Sequence, residues 1–261
     1  MTEMNEENEI CETCPLKGSC PDQGSEEAVT CMADEIDGIK HKIIVASGKG
    51  GVGKSTVSVN LARALQLEGY KVGILDADIT GPNIPKLLGI EDQGLVQGAD
   101  GIKPADAGGI KVASMALVLS RQDSPVVWRG PMKMAAIKQF IQDVTWGGLD
   151  YLIIDLPPGT SDIHLSLVQA VPLSGAIIVS TPQPVALADA RKGVGFFQLP
   201  SVNVPVLGIV ENMAWFTPEE LPNNKYYIFG QGGARGLAGE LNVPLLGEIP
   251  LVQSIREAGD V

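Results

Sequence analysis

A glycine-rich segment from residue 48 to residue 56 constrains the fold more than any other feature of the sequence. It reads Gly-Lys-Gly-Gly-Val-Gly-Lys-Ser-Thr. Backbone N–H groups can wrap a polyphosphate this closely only where glycines leave room, so the segment predicts a phosphate-binding loop. An apolar run at residues 41–46 precedes it, and a helical pattern at residues 56–67 follows it. Strand, glycine loop and helix therefore come in the order that such a loop requires.

The side chains of this loop have expected roles at the phosphates. Lys54 should reach the β and γ phosphates, and Ser55 should place its hydroxyl on Mg²⁺. The helix that begins here directs the positive end of its dipole at the anion. The predicted nucleotide-binding residues of the loop are Gly48, Gly50, Gly51, Val52, Gly53, Lys54, Ser55 and Thr56.

The loop carries a second lysine, Lys49, near its start. With this lysine it resembles the deviant Walker A family of P-loop ATPases, which includes nitrogenase iron protein, MinD, ParA and the Mrp/ApbC iron-sulfur carriers. The resemblance implies a SIMIBI/MinD-like P-loop NTPase fold, ATP as the ligand and slow, switch-type hydrolysis. It also implies a homodimer in which Lys49 crosses the interface to the nucleotide of the partner subunit. A cation delivered in this way suits phosphoryl transfer, where catalysis is mostly positioning and charge stabilisation.

Carboxylates follow two further apolar runs, at residues 72–75 and 151–154. Open α/β sheets place their ligands at the carboxyl ends of such strands. The family resemblance implies that Asp78 orients the attacking water and that Asp76 lies near the Mg²⁺ shell. It makes Asp155 the Walker B carboxylate that holds Mg²⁺, and it makes Gly159 a sensor of the γ phosphate through its N–H group.

Two residues in the carboxyl half are candidates for the base-binding part of the site. Asn212 follows an apolar run at residues 207–210, and the resemblance implies that it reads the adenine edge. Asparagine after a strand is also a common turn residue. Pro250 occupies a position that lines the base pocket in these ATPases.

The alternation of apolar runs and helical patterns predicts one α/β domain over residues 41–261, with a doubly wound, mostly parallel sheet flanked by helices. Strands are predicted near residues 42–46, 72–75, 110–114, 151–154, 176–180, 205–210 and 245–249. The clearest of the remaining helices are predicted at residues 132–144, 162–170 and 185–197.

Residues 1–40 form a separate acidic segment, with 11 acidic and two basic side chains, whereas residues 41–261 hold 20 and 17. An acidic chain lacks the basic surface expected of a nucleic-acid binder, so we expect no nucleic-acid partner. The apolar runs are too short to cross a bilayer, and the acidic start does not resemble a signal peptide. The sequence therefore predicts a cytoplasmic protein that does not bind membranes.

All four cysteines, Cys11, Cys14, Cys20 and Cys31, lie in this acidic segment. Four thiolates suffice for one [4Fe-4S] cluster or one tetrahedral zinc ion, and disulfides or redox thiols are the other possibilities. The spacing Cys-x2-Cys-x5-Cys resembles the amino-terminal cluster motif of the eukaryotic and archaeal cytosolic scaffold ATPases related to Mrp. Their fourth cysteine normally lies upstream, whereas here only Cys31, downstream, is available.

Similarity to the Mrp/ApbC branch extends from about residue 40 to residue 261 and includes Gly81-Pro82-Asn83-Ile84-Pro85 and Trp128-Arg129-Gly130-Pro131-Met132-Lys133. Carriers of that branch usually have a Cys-x-x-Cys after the motif Glu-Asn-Met, and two subunits share one cluster through it. This chain has no cysteine after Cys31. Any cluster must therefore rely on the amino-terminal cysteines.

Taken with the resemblance, the sequence predicts a homodimeric, Mg²⁺-dependent ATPase that binds a [4Fe-4S] cluster and transfers it to apoproteins. Two alternatives stay open at this point. One is a MinD/ParA-like positioning or regulatory ATPase without a cluster. The other is a regulatory partner for a cysteine-bearing paralogue. Metal content separates the first alternative from the carrier, and heterodimerisation identifies the second.

Overall fold

An eight-stranded sheet lies at the centre of the computed structural model, which describes residues 36, 38–98, 101–118 and 130–258. The strands in chain order are β1 (His41–Ala46), β2 (Val72–Asp76), β3 (Val96–Gly98), β4 (Gly101–Lys103), β5 (Ala105–Asp106), β6 (Ile110–Ser114), β7 (Tyr151–Asp155), β8 (Gly175–Ser180), β9 (Val206–Phe216) and β10 (Leu245–Leu251). The main sheet has the order β10-β9-β8-β1-β7-β2-β6-β5, and β3 pairs with β4 separately. All its neighbouring strands run parallel except β5, which is antiparallel to β6.

Strand β1 lies in the middle of this order, between β7 and β8, and the chain winds outward from it in both directions. The carboxyl ends of β1, β7 and β2 are therefore neighbours at one edge of the sheet. Ligands of open α/β sheets bind at such a switch point. The topology thus brings the glycine-rich loop and the predicted carboxylates together.

The helices are α1 (Lys54–Leu67), α2 (Ile84–Leu87), α3 (Gly130–Asp143), α4 (Asp162–Ala170), α5 (Pro184–Gln198), α6 (Gly233–Leu241) and α7 (Gln253–Ala258). They cover both faces of the sheet because successive strand residues point to opposite sides. Ile153 packs with α1 residues such as Val57, whereas its neighbour Ile154 packs on the other face with residues such as Phe197 of α5. In the described ranges, no helix has the length and apolarity that crossing a bilayer requires.

The structure confirms a doubly wound, mostly parallel sheet, and all seven predicted strands are present within two residues of their predicted starts. The end of β9 differs, because the strand continues past residue 210 to Phe216. Glu211 and Asn212 therefore lie inside the strand, where they pair with Glu248 and Ile249 of β10. Polar residues interrupt the apolar run here, so the sequence pattern ends before the backbone pairing does.

Residues just before β1 pack against the domain. Ile36 and Ile39 are buried in the hydrophobic core, and the Lys42 ammonium donates to the carbonyl oxygens of both at 2.9 Å. A boundary at residue 40 between an amino-terminal segment and the ATPase domain stays a prediction. The four cysteines lie outside the described residues.

Candidate functional site

The glycine-rich loop connects β1 to α1 at the switch point. Gly53, the residue before α1, has a φ of 81°, in the left-handed region that glycine tolerates best. A β-carbon at Gly53 would lie 2.2 Å from the side-chain nitrogen of Asn212. A β-carbon at Gly48 would lie 2.2 Å from the backbone carbon of Asp189. Close approach to backbone atoms therefore requires glycine at Gly48, and the left-handed backbone conformation favours it at Gly53.

Three side chains meet at Asp155, the last residue of β7. The Lys54 ammonium and the Ser55 hydroxyl each lie 2.6 Å from the same carboxylate oxygen, Oδ2. The Ser58 hydroxyl donates to the other oxygen, Oδ1, at 2.5 Å. Asp155 is fully buried, and Lys54 is only 7% exposed. The pair thus brings a cation and a carboxylate together where water is largely excluded, which strengthens their attraction.

Asp76 is the neighbour of Asp155 across the sheet, since the two residues are register partners in β2 and β7. One Asp76 oxygen accepts from the Ser114 hydroxyl at 2.9 Å, and the other accepts from the Asp78 backbone N–H at 3.2 Å. Burial, and next the negative charge of Asp155, raise the pKa of Asp76 to about 7. Two buried carboxylates side by side disfavour double ionisation, so this position has an affinity for positive charge.

Asp78 lies on the segment that follows β2, at the wall of an open cavity of about 430 Å³. Its carboxylate accepts from the Gly81 backbone N–H at 3.2 Å. Burial raises its pKa, and the charge of Lys54 acts in the opposite direction. The cavity is lined by residues 50–56 of the glycine-rich loop and α1, and on the other side by Ser47, Asp78, Gly81, Asn83, Lys86, Leu87 and Pro158.

Lys49 lies at the rim of this arrangement. It is partly exposed, and its backbone oxygen accepts from the Ser47 hydroxyl at 3.0 Å. It is not among the described residues that line the cavity.

We call the segment after β7, residues 156–161, the Asp155 loop. It passes beside the glycine-rich loop, where the Gly159 N–H donates to the Ser47 backbone oxygen at 2.8 Å. Gly159 has a φ of 87°, and Pro158 lines the cavity. The predicted sensor residue therefore lies next to the phosphate loop and is bonded to it.

A second cavity, of about 420 Å³ and mostly apolar, adjoins the first at Gly53. Asn212 and Pro250 both line it, together with Met213 and Ile249. The Asn212 amide donates to the Val52 backbone oxygen at 2.9 Å. An apolar cavity with a side-chain amide, next to a phosphate loop, has the chemistry that a purine base needs.

The donor set at Asp155 suits a magnesium ion. A carboxylate and a hydroxyl are hard oxygen ligands, and Ser55 and Asp155 already lie within hydrogen-bonding distance of each other. Burial, and next the charge of Asp155, raise the pKa of Asp76, and a cation bound beside the two carboxylates would favour its ionised form. In the described part of the chain there is no group of three or more His, Cys, Asp or Glu side chains that could hold a metal ion.

Some residues of the site were not identified from the sequence. Ser58 and Ser114 bond the two buried carboxylates, and Asn83 and Lys86 line the cavity. Ser58 lies one turn after Lys54 on α1, so helical spacing could have indicated it. Ser114 gives no comparable signal, because its contact with Asp76 depends on the pairing of β2 with β6.

Fold and site together define a nucleotide-binding P-loop protein of the doubly wound class. The whole domain supports this, since residues 38–261 match the family described as ParA, NUBPL iron-transfer P-loop NTPase. The chain belongs to this family.

Comparisons with individual proteins agree. The chain is 48% identical over 254 residues to a protein of Methanocaldococcus jannaschii named iron-sulfur cluster carrier protein, an alignment that covers 96% of this chain and 87% of the relative. A nucleotide-binding protein from Archaeoglobus fulgidus, solved in complex with ADP, superimposes with a TM-score of 0.77 at 39% identity, covering 88% and 89% of the two chains. The cell division ATPase MinD from Pyrococcus furiosus superimposes with a TM-score of 0.59 at 26% identity, covering 85% and 87%.

Proposed function

We propose that the protein is a homodimeric, Mg²⁺-dependent ATPase that carries a [4Fe-4S] cluster and transfers it to apoproteins in the cytoplasm. The ATPase activity is proposed because the Lys54 ammonium and the Ser55 hydroxyl both contact one oxygen of Asp155. This convergence lies beside a cavity lined by the glycine-rich loop. The ADP complex of the Archaeoglobus fulgidus protein supports a nucleotide as the ligand.

In this proposal the triphosphate lies in the first cavity and the base in the second. Lys54 leaves Asp155 and binds the β and γ phosphates, and the backbone N–H groups of the glycine-rich loop donate to the phosphate oxygens. Ser55 and Asp155 would hold Mg²⁺, directly or through water. Bound there, the ion neutralises phosphate charge that develops during the reaction. Asn212 and Pro250 contact the base.

Hydrolysis is the attack of a water molecule on the γ phosphorus, which breaks the bond to the ADP oxygen and yields ADP and phosphate. Asp78 orients this water, because its carboxylate lies at the cavity wall and accepts hydrogen bonds. Lys49 of the partner subunit adds positive charge to the transition state. Its partly exposed position, away from its own cavity, supports this arrangement.

The Asp155 loop couples the nucleotide to the state of the dimer. The Gly159 N–H, bonded to Ser47, is the group that exchanges to the γ phosphate when ATP binds. Loss of that phosphate reverses the exchange and switches the dimer between states that hold and release cargo.

The cargo follows from the relatives and from the cysteines. Relatives that are almost half identical bear the name iron-sulfur cluster carrier, and Cys11, Cys14, Cys20 and Cys31 supply four thiolates. In the proposal these thiolates hold the cluster in a separate segment, residues 1–40. A subunit lacking a carboxyl-terminal Cys-x-x-Cys is also suited to pair with a cysteine-bearing paralogue.

Anaerobic reconstitution with iron and sulfide tests the cargo. We expect the wild-type protein to gain a broad absorption band near 400 nm and about four iron atoms per chain. The double variant Cys14→Ala/Cys20→Ala should gain neither while still binding ATP.

Absence of the band from both proteins would contradict the carrier function. The MinD-like structural similarity would then favour a positioning or regulatory ATPase without a cluster. Zinc in place of iron, with the same dependence on Cys14 and Cys20, would also contradict the carrier and would assign a structural role to the amino-terminal segment.

A further inference from the structure

His164, in the first turn of α4, is a buried histidine bonded to the end of the Asp155 loop. It is only 1% exposed. Its ring nitrogen Nδ1 lies 3.2 Å from the Ser161 backbone nitrogen and 3.1 Å from the Ser161 hydroxyl. Because a backbone N–H can only donate, Nδ1 accepts, and the proton of the neutral ring is therefore on Nε2.

The ring is held in the neutral form by its surroundings. Burial lowers the pKa of His164 to about 4, against a smaller opposing effect of the Pro157 backbone and a further lowering by the charge of Lys54. The buried Nε2 makes no hydrogen bond within the described part of the chain. Near neutral pH, Nδ1 therefore stays an acceptor for Ser161.

Packing against α5 also fixes the ring. The Phe196 ring of α5 meets it edge to face, with the ring centroids 6.1 Å apart and an interplanar angle of 86°. Phe196 in turn meets Phe197 edge to face, and Phe197 is fully buried. His164 is thus anchored to the core rather than to a mobile surface.

Beyond its start, where the Leu156 N–H donates to the Val45 backbone oxygen at 3.1 Å, the Asp155 loop is attached at two points. At its middle, Gly159 donates to Ser47, and the Ser47 hydroxyl donates to the backbone oxygen of Lys49. At its end, Ser161 is bonded to His164. The first attachment belongs to the nucleotide site and must change when a phosphate takes the Gly159 N–H. Neither Ser161 nor His164 lines the cavity, so the second attachment need not change.

We propose that His164 is a positioning residue for ATP hydrolysis. It holds the Ser161 end of the Asp155 loop, so that the loop has a single route by which the Gly159 N–H moves from the Ser47 oxygen to the terminal phosphate. The proposal rests on the ATPase function proposed above. With a fixed end, the short segment between Pro157 and Ser161 has few conformations in which the Gly159 N–H reaches the phosphate. Without it, the loop samples more conformations, and fewer of them are productive.

Two substitutions at the same position test this role. In His164→Leu the side chain fills the volume but cannot accept a hydrogen bond. In His164→Asn the amide oxygen can take the place of Nδ1. We expect His164→Leu to lower kcat about tenfold, with KM for ATP changed by less than about twofold. His164→Asn should recover most of the lost kcat.

Hydrogen exchange of the backbone gives a readout that does not depend on hydrolysis. Amides of residues 159–161 should exchange faster in His164→Leu than in wild type and in His164→Asn, whereas those of the glycine-rich loop should not. The matched control is His41→Leu at the only other histidine, which stacks on Tyr151 at the far end of β1. It should leave kcat and the exchange of the Asp155 loop unchanged.

The outcomes separate the inference from the proposed function. If wild type hydrolyses ATP and His164→Leu matches it in kcat and in loop exchange, the positioning role is wrong. The inference is also overturned if the loss of kcat in His164→Leu is explained by its loss of thermal stability and His164→Asn loses as much kcat. His164 then has only a structural role. If wild type does not hydrolyse ATP, the proposed function fails, and the exchange measurement alone decides whether His164 anchors the loop.

Discussion

The ammonium of Lys54 lies 2.6 Å from Oδ2 of Asp155, in a site where both side chains are almost completely buried. The same oxygen accepts from Ser55, so Lys54, Ser55 and Asp155 form one connected group. Substituting Lys54 leaves the buried Asp155 carboxylate without its counter-ion, and substituting Asp155 leaves the buried ammonium without its own, which is costly. Substitutions here must therefore be assessed for folding as well as for function.

Replacing Lys54 by alanine should abolish ATP binding. The ammonium is the expected partner of the β and γ phosphates, and a charge-assisted hydrogen bond contributes about 1.5–3 kcal/mol. We expect the Kd for ATP to rise roughly 100-fold or more. Nucleotide titration followed by fluorescence measures it, with Lys71→Ala, at an exposed lysine outside the site, as the control. Tight binding retained by a folded Lys54→Ala protein would refute the assignment of the phosphate loop.

Replacing Lys49 by alanine should separate binding from turnover. Lys49 is not among the described residues that line the cavity, so the Kd for ATP should stay within about threefold of wild type. Turnover should fall about a thousandfold, as expected for a cation delivered in trans to phosphoryl transfer. Steady-state hydrolysis and ATP titration on the same preparation provide the measurement. An unchanged hydrolysis rate would contradict the proposal that Lys49 acts on the nucleotide of the partner subunit.

Asp78→Ala should trap ATP in the site. The carboxylate is at the cavity wall and is proposed to orient the attacking water, so its loss should slow turnover about 100-fold. Binding should persist, because Lys54, Ser55 and Asp155 are intact. Quantifying ATP and ADP that remain bound after gel filtration checks this. A normal hydrolysis rate would mean that another residue orients the attacking water.

Gly53→Ala should destabilise the fold and weaken nucleotide binding. The residue has a left-handed backbone conformation, and its new β-carbon would meet the Asn212 side chain. A left-handed conformation alone costs a non-glycine residue about 1–2 kcal/mol. Thermal melting and ATP titration measure the two effects.

The matched control for that change is Gly195→Ala. Gly195 lies inside α5, and a β-carbon added there would meet no atom of another part of the chain within 4 Å. Alanine should stabilise this helix by roughly 0.5–1 kcal/mol. Equal melting temperatures for the two variants would mean that Gly53 is not required for its conformation.

Stability in acid should depend on His164. Its pKa of about 4 in the folded protein is below the ordinary value of 6.5, so the unfolded chain binds the proton more tightly. The stabilising contribution of the neutral ring is complete above pH 6.5 and is lost as the pH falls toward 4. Each pH unit in this window removes at most about 1.4 kcal/mol of unfolding free energy. Urea unfolding of wild type and His164→Asn between pH 7.5 and 4.5 should show the stability difference shrinking with acidification, and a constant difference would contradict it.

Much of the fold could be predicted because buried parallel strands are continuous apolar runs, and those of β1, β2 and β7 are uninterrupted. The glycine-rich loop then fixed the positions of Lys54 and Ser55 relative to β1. The short strands β3 to β5 were missed because two or three residues carry no periodicity. Helix α6 begins in a glycine-rich sequence that resembles a loop.

The carboxylate contacts depend on tertiary pairing. Apolar runs alone place Asp76 and Asp155 at strand ends, but only the parallel register of β2 and β7 makes them neighbours. In the same way, the bond between Asn212 and Val52 joins residues 160 positions apart in the chain. The role of His164 lay beyond sequence analysis, because the distance to Ser161 and the burial of the ring decide it.

Cluster transfer tests the central claim most directly. The reconstituted protein is mixed anaerobically with an apoprotein that becomes active on receiving a [4Fe-4S] cluster, with and without Mg²⁺ and ATP. We expect activation by wild type that responds to ATP, activation by Lys54→Ala that does not respond to ATP, and none by Cys14→Ala/Cys20→Ala. Failure of wild type to activate the acceptor, with ATP hydrolysis intact, would contradict the account.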